Sequence, residues 1–220
     1  MNGGAGKGRF IAFEGGEGAG KSTQAKLLAS ALEARGIEVV LTREPGGTPG
    51  AEAIRALLLD PPVGDDCEGW GAEAEALLFA AARSDHVARV IRPAVERGAW
   101  VICDRFVDSS RAYQGGAGHV GDEKVQALHA IGSGGLRPDL TILVEVDEAR
   151  MQDRLAARDG DASDAIGGRS RDYHRAVARA FREFAHADPA GFAIVDGGGS
   201  PEEVQANVIA ALEPLLDAHK

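Results

Sequence analysis

Residues 15–23 read Gly-Gly-Glu-Gly-Ala-Gly-Lys-Ser-Thr. These residue types suit one task, the holding of a polyphosphate. Glycines let the backbone curl until successive N–H groups point inward at phosphate oxygens. A helix starting near Lys21 adds the positive end of its dipole. The Lys21 ammonium reaches the β- and γ-phosphates, and the Ser22 hydroxyl is a ligand for Mg²⁺. The spacing is G-x-x-x-x-G-K-S, the phosphate-binding P-loop. Gly15, Gly16, Glu17, Gly18, Ala19, Gly20, Lys21, Ser22 and Thr23 are therefore assigned to ATP.

A second chemical signal lies far downstream. Trp100-Val101-Ile102-Cys103 is an apolar run that ends in Asp104. An apolar strand that delivers a carboxylate beside the nucleotide's metal is the Walker-B arrangement. Ser22 and Asp104 are thus the candidate Mg²⁺ positions. Arginines recur at predicted strand ends, and residues 159–170 form a Gly- and Asp-rich segment ending in Gly167-Gly168-Arg169-Ser170. A kinase acting on a small acceptor needs such parts: an anion pocket, and a lid without which water would take the phosphoryl group. A GTP switch would need an Asn-Lys-x-Asp guanine reader. Only Asn2 and Asn207 occur, and neither has that context.

These residues require a frame. Short apolar runs at 9–13, 38–42, 100–103, 140–146 and 192–195 read as buried strands. Helical spacing covers 21–34, 51–59, 72–90 (with a break near Pro93), 122–131, 148–158, 171–187 and 201–216. Residues 61–70 read as a polar loop, and 108–118 as a helical turn running into a flexible loop. The alternation predicts one domain over 1–220: a three-layer α/β/α P-loop fold, with a five-stranded parallel sheet and a mobile lid at about 159–170. Ligands belong at the carboxyl ends of such strands.

Composition narrows the partners. The chain has 220 residues, 44% of them hydrophobic, enough for one sizeable core. With 24 Lys plus Arg against 34 Asp plus Glu, the net charge is −10. That argues against a surface for polymeric nucleic acid or an anionic membrane. Two cysteines, Cys67 and Cys103, imply no disulfide framework. The glycine-rich N-terminus lacks the apolar core of a signal peptide, and no apolar run approaches spanning length. A cytoplasmic location is expected. The six histidines have no metal-ligand spacing, and Asp159, Asp161 and Asp164 lack that of a calcium loop.

Several stretches together resemble the bacterial thymidylate kinases. They are Phe13-Glu14-Gly15 leading into the P-loop, Thr42-Arg43-Glu44-Pro45-Gly46-Gly47-Thr48, Leu78-Phe79-Ala80-Ala81-Ala82-Arg83, Cys103-Asp104-Arg105-Phe106, Ser109-Ser110 with Ala112-Tyr113-Gln114-Gly115, and Arg137-Pro138-Asp139-Leu140-Thr141. The resemblance implies transfer of the γ-phosphoryl of ATP to dTMP on the way to dTTP, an adenylate-kinase-like architecture and a homodimer. It implies that Phe79 stacks on thymine, that Arg83 and Gln114 read the base, and that Ser110 and Tyr113 wall the pocket. Arg105 would hold the dTMP phosphate, with Arg43 and Arg55 nearby. Glu17 would sit near the acceptor sugar, and Lys21, Glu17, Asp104 and Arg105 would form the catalytic set. Ala19 stands where one branch of the family has an arginine; the other branch supplies that charge from the lid. Arg154, Arg158, Arg169 and Arg171 flank the lid here. The sequence departs from the family at Asp164-Ala165-Ile166, where Asp-Arg-hydrophobic is expected. Arg158 is taken as the replacement, with Arg169 the other candidate. Two alternatives stay open: another nucleoside or nucleoside-monophosphate kinase, and an ATP-binding regulator without transfer activity.

Overall fold

The computed structural model describes residues 7–64, 67–151, 154 and 166–218. The strands in chain order are β1 (Arg9–Glu14), β2 (Val39–Arg43), the two-residue β3 (Val63–Gly64) and β4 (Cys67–Glu68), β5 (Trp100–Asp104), β6 (Leu140–Glu145) and β7 (Phe192–Asp196). Five of them form a parallel sheet in the order β2-β5-β1-β6-β7. The expected polar loop at 61–70 instead contains a small antiparallel hairpin of β3 and β4.

Alternation along the strands explains the layers. Ile11, Phe13, Trp100 and Ile102 face one side, where they pack with Leu28 and Leu32 of α1 (Lys21–Glu33) and with Val204, Val208 and Leu212 of α8 (Pro201–Asp217). Phe10, Ala12, Val101 and Cys103 face the other side, against Val87, Ile91, Phe106 and Val107. Successive strand residues point to opposite faces, so a strand buried on both sides must be apolar at every position. Toward the β7 edge, Phe181 and Val177 of α7 (Arg171–Ala187) pack with Tyr113, Leu143 and Phe192.

The remaining helices are α2 (Pro49–Leu59), α3 (Ala72–His86), α4 (Arg92–Glu96), α5 (Val107–Ser110) and α6 (Asp122–Ser133). The expected break near Pro93 is absent. A π-helical segment, Val87–Ile91, joins α3 to α4, and Pro93 falls in the first turn of α4. Proline has no N–H to give to the preceding turn, and a local widening from α to π accommodates it without ending the helix. The expected loop within 108–118 is likewise a π-helix, Arg111–Ala117, whose Ala112, Tyr113, Gln114 and Gly115 are buried. Of the helix expected over 148–158, residues 148–151 and 154 are described and are helical.

Register brings the chemistry to one edge. Asp104 on β5 is level with Phe13 on β1 and with Arg43 on β2. The turn after β1, the arginine ending β2 and the carboxylate ending β5 therefore emerge together at the carboxyl ends of the sheet.

Candidate active site

Gly15 leaves β1 at φ +139°, and a Cβ there would lie 2.4 Å from the Val144 carbonyl oxygen on β6. Only glycine fits so close an approach. Gly20 precedes α1 in the left-handed region at φ +94°. Between them the loop curls back on itself, and Lys21 Nζ donates to the Gly16 carbonyl at 2.6 Å. Lys21 is buried, and its pKa is pushed down to about 8, first by desolvation and then by the Arg105 charge.

Ser22 Oγ donates to Asp104 Oδ2, while Asp104 Oδ1 is buried with no hydrogen-bond partner. An unpaired carboxylate oxygen beside a serine hydroxyl is a hard-oxygen donor pair, the chemistry that suits Mg²⁺. Among the described residues no group of three or more His, Cys, Asp or Glu forms a metal cage. Mg²⁺ in kinase sites uses one or two protein oxygens together with substrate phosphates, and these residues fit that mode.

Arg105 follows Asp104 at φ 70°, an uncommon conformation for a residue with a Cβ. Its backbone N–H bonds Phe13 O at 2.9 Å, extending the β1–β5 ladder past the strand end. The guanidinium donates to Glu17 Oε1 at 2.5 Å, Gly15 O at 3.2 Å and Ser109 Oγ at 3.0 Å, and lies over the Tyr113 ring. The carboxylates around it hold Arg105 firmly charged although it is largely withdrawn from solvent, and the Tyr113 phenol is pushed well up by desolvation.

Behind Arg105 lies a carboxyl to which the residue pattern assigned no role. Glu14 Oε1 accepts from the Phe106 and Ser109 amides at 2.8 and 2.9 Å, and Oε2 accepts from Ser109 Oγ at 2.5 Å. Glu14 thereby ties the end of β1 to the start of α5 and to the serine that braces Arg105. Burial, with Asp108 adding to it, pushes its pKa up from 4.5 to about 7. A raised folded-state pKa contributes stability that is full below 4.5 and is lost as pH rises through about 7. Glu14→Gln keeps both amide bonds without titrating. Chemical denaturation from pH 4.5 to 8 is expected to show wild type losing on the order of 1–3 kcal/mol relative to Glu14→Gln across that window. A constant difference would contradict the assignment.

A cavity of about 520 Å³ joins these groups to a second half, a size within the roughly 300–1,000 Å³ typical of small-ligand sites. From the P-loop it is lined by Glu17, Gly18, Gly20, Lys21, Ser22 and Thr23; Asp104 and Arg105 lie beside them. Its far wall holds Arg43, Arg55, Phe79, Arg83, Ser110, Tyr113 and Gln114. Gly15, Gly16 and Ala19 shape the loop without lining the cavity: the carbonyls of Gly15 and Gly16 are taken by Arg105 and Lys21, and that of Ala19 by Arg154.

The far-wall side chains differ in how tightly they are held. Arg43 is half exposed and pairs with Glu52, and Arg55 donates to the Pro45 carbonyl at 2.9 Å. Arg83 is buried; Nε donates to Glu44 Oε2 at 2.7 Å and Nη2 to Ser110 Oγ at 2.8 Å. Glu44 also meets His86 Nδ1 at 3.1 Å. Phe79 is 9% exposed and borders the cavity.

Arg158 lies outside the described residues, as do lid residues 159–165. Arg154 lines the cavity, its guanidinium donating to the carbonyls of Ala19 and Gly197 at 3.3 and 2.8 Å. Arg169 turns away to pair with Glu75. Glu14, Glu44 and Glu75 had no role assigned from the sequence, and Arg154 was placed only among the arginines flanking the lid. One signal was available: Glu75, Phe79, Ala82, Arg83 and His86 share the buried face of α3. Charged residues on the inward face of a helix mark a site more often than a core.

Fold and site together define a P-loop α/β nucleotide-binding protein with a second, arginine-lined ligand pocket. The thymidylate kinase family profile matches residues 13–208. The chain is 56% identical over 209 residues to a thymidylate kinase of Rhizorhabdus wittichii, covering 95% of this chain and 99% of that one. It is 48% identical over 214 residues to one from a Bradyrhizobium species, covering 97% and 93%. The crystal structure of thymidylate kinase from Ehrlichia chaffeensis superposes with a TM-score of 0.75 at 30% identity, covering 94% of this chain and 99% of that one. The chain belongs to the thymidylate kinase family.

Proposed function

We propose that this protein is an enzyme that phosphorylates dTMP to dTDP with ATP, a step in the supply of dTTP, and that it uses Mg²⁺. The observation that carries this reading is the continuous cavity running from Lys21 and Ser22, past Arg105, to Phe79, Arg83 and Gln114. One end suits a triphosphate and the other a monophosphate bearing a base. In the transfer, an oxygen of the dTMP phosphate bonds to the γ-phosphorus. The bond from that phosphorus to the β–γ bridging oxygen breaks, and its electron pair leaves with ADP. The acceptor is already anionic, so positioning and charge neutralisation carry most of the catalysis. Lys21 sits on the β/γ side. Arg105 grips the acceptor phosphate with its planar fork, steadied by Glu17 and Ser109. Ser22 and Asp104 would hold Mg²⁺, which when bound neutralises charge on the β- and γ-phosphates. Phe79 offers a face for base stacking. Arg154 takes the place beside the P-loop from which a lid-side cation can act.

A homodimer is part of the proposal. Leu57, Leu77 and Ile131 are exposed large apolar residues on α2, α3 and α6, and α3 packs against both of the other helices. A cytoplasmic location is also part of the proposal, with which the free thiol of Cys103 is compatible. Among the described residues no helix is long and apolar enough to cross a membrane.

The deciding experiment measures ADP release from ATP and Mg²⁺ with dTMP, dUMP, dCMP, dGMP, AMP or thymidine, against a blank without acceptor. Turnover with dTMP above all others is expected. Turnover with a different monophosphate alone would keep phosphotransfer and reassign the base pocket. Equal release in every tube, blank included, would sink the proposal.

A further inference from the structure

We propose that Glu75 is a specificity-positioning residue: its carboxylate dictates which end of the Gln114 amide faces the acceptor cavity, and so selects a base edge that offers a hydrogen-bond donor there. The inference rests on the reading of that cavity as a dTMP site. Gln114 is 2% exposed, and its Nε2 donates to Glu75 Oε1 at 2.8 Å. An amide has a donating end and an accepting end, whereas a carboxylate only accepts. The contact therefore admits one orientation of Gln114, with nitrogen toward Glu75. Gln114 borders both the main cavity and a smaller one of about 150 Å³, while Glu75 and Arg169 border only the smaller. With the nitrogen bound on that side, the Gln114 oxygen is the end presented to the main cavity, and no described residue donates to it.

Glu75 is itself prevented from turning. Its Oε2 accepts from Arg169 Nη2. Arg169 is anchored in turn: Nη1 donates to the Tyr173 hydroxyl at 2.5 Å, and the guanidinium lies 4.7 Å from that ring's centroid. The Tyr173 hydroxyl donates to the Tyr113 carbonyl at 2.8 Å. Arg169 is thus an orienting cation for base recognition.

Arg83 is held in the same manner by Glu44 and Ser110, which take Nε and Nη2 and leave Nη1 for a ligand. Two buried carboxylates, Glu44 and Glu75, therefore set the polarity of two wall groups: a donor at Arg83 and an acceptor at Gln114. A base edge with a carbonyl beside a ring N–H, as in thymine, complements that pair. Cytosine carries an amino group and an unprotonated ring nitrogen in those places and mismatches both. Buried groups left unpaired by the wrong ligand discriminate strongly.

The test compares kcat/KM for dTMP and dCMP in wild type, Glu75→Gln and Glu75→Asp. Glutamine at 75 both donates and accepts, so Gln114 is released to turn over. The dTMP:dCMP ratio in Glu75→Gln is expected to fall about tenfold or more, with Glu75→Asp keeping a ratio nearer wild type because its head group still only accepts. A ratio unchanged in Glu75→Gln, or both monophosphates losing activity equally, would overturn the inference while leaving the dTMP reading intact. Absence of any dTMP preference in wild type would instead sink that reading. NMR of the Gln114 side-chain amide in the unmodified protein supplies a readout independent of variant folding. Slowly exchanging Nε2 protons, undisturbed when dTMP binds, are expected; protons that exchange freely or transfer to the ligand would refute the role.

Discussion

Replacing Lys21 with methionine is expected to reduce kcat/KM for phosphoryl transfer by roughly 10³ while leaving the fold intact. Lys21 is the cation of the P-loop, and it already lies against the loop backbone at the Gly16 carbonyl. A preorganised charge in a water-poor site stabilises developing negative charge far more than the same charge in bulk water, and removing a single such donor typically costs about 10²–10³ in rate. Full loss of the ammonium belongs at the upper end. The fold should tolerate the change because Lys21 contributes little to stability as an ion. Its pKa falls from 10.5 to about 8 since burial and Arg105 oppose the charge. Methionine fills nearly the same space without that penalty. Steady-state kinetics beside a thermal melt separates the two effects, and a variant with full activity would contradict the scheme. The same depressed pKa bears on ATP affinity. Phosphates favour protonated Lys21, so binding should take up a proton above pH 8, with affinity falling up to about tenfold per pH unit there. Titration calorimetry in buffers of different ionisation heat reads that proton directly.

Arg105→Met is expected to lower kcat/KM for dTMP by about 10²–10³ and to leave the KM for ATP within a few-fold. Truncating one member of a desolvated charge pair typically costs about 2–5 kcal/mol. The loss has two parts. The fork proposed to grip the acceptor phosphate disappears, and the Glu17 carboxylate, paired with Arg105 at 2.5 Å, is left facing an incoming dianion. Backbone strain does not confound the experiment. The φ of 70° is equally uncommon for arginine and methionine, so the penalty cancels. Arg105→Lys should recover only part of the loss, because a point charge cannot reach Glu17, Gly15 and Ser109 together as the planar guanidinium does. Equal rises in KM for ATP and dTMP would place Arg105 on the nucleotide side and refute its assigned role.

Much of this site was legible in the residue order because parts of it are local. The P-loop is nine consecutive residues between an apolar strand and a helix, and its function is carried by backbone N–H groups and glycine conformations that neighbouring residues dictate. Asp104 was readable for a similar reason: an apolar run fully buried on both faces must end somewhere, and an acid at that end marks the site edge. The sheet followed from five apolar runs alternating with amphipathic helices. Two helical segments differ from the residue pattern. The pattern around Pro93 and through Arg111–Ala117 contains residues that usually end helices, and both stretches instead widen into π-helix under the packing of neighbouring elements.

The sequence by itself thus determined the fold class, the phosphate cradle and the carboxylate that faces it, since each depends on short-range periodicity or on consecutive backbone. Only the tertiary structure decided which charged side chains hold the others in place. Glu14 reaches Ser109 across 95 positions, and Glu75 reaches Gln114 across 39. Arg169, a lid candidate by sequence, pairs with Glu75 across 94 positions, and Arg154 lies on the P-loop carbonyl of Ala19 across 135. No local pattern encodes such pairs. Strands in register bring Glu14 to the sheet edge beside Ser109, and packed helices bring Glu75, Gln114 and Arg169 together; in both places a buried charge must find an opposite partner or remain unsolvated.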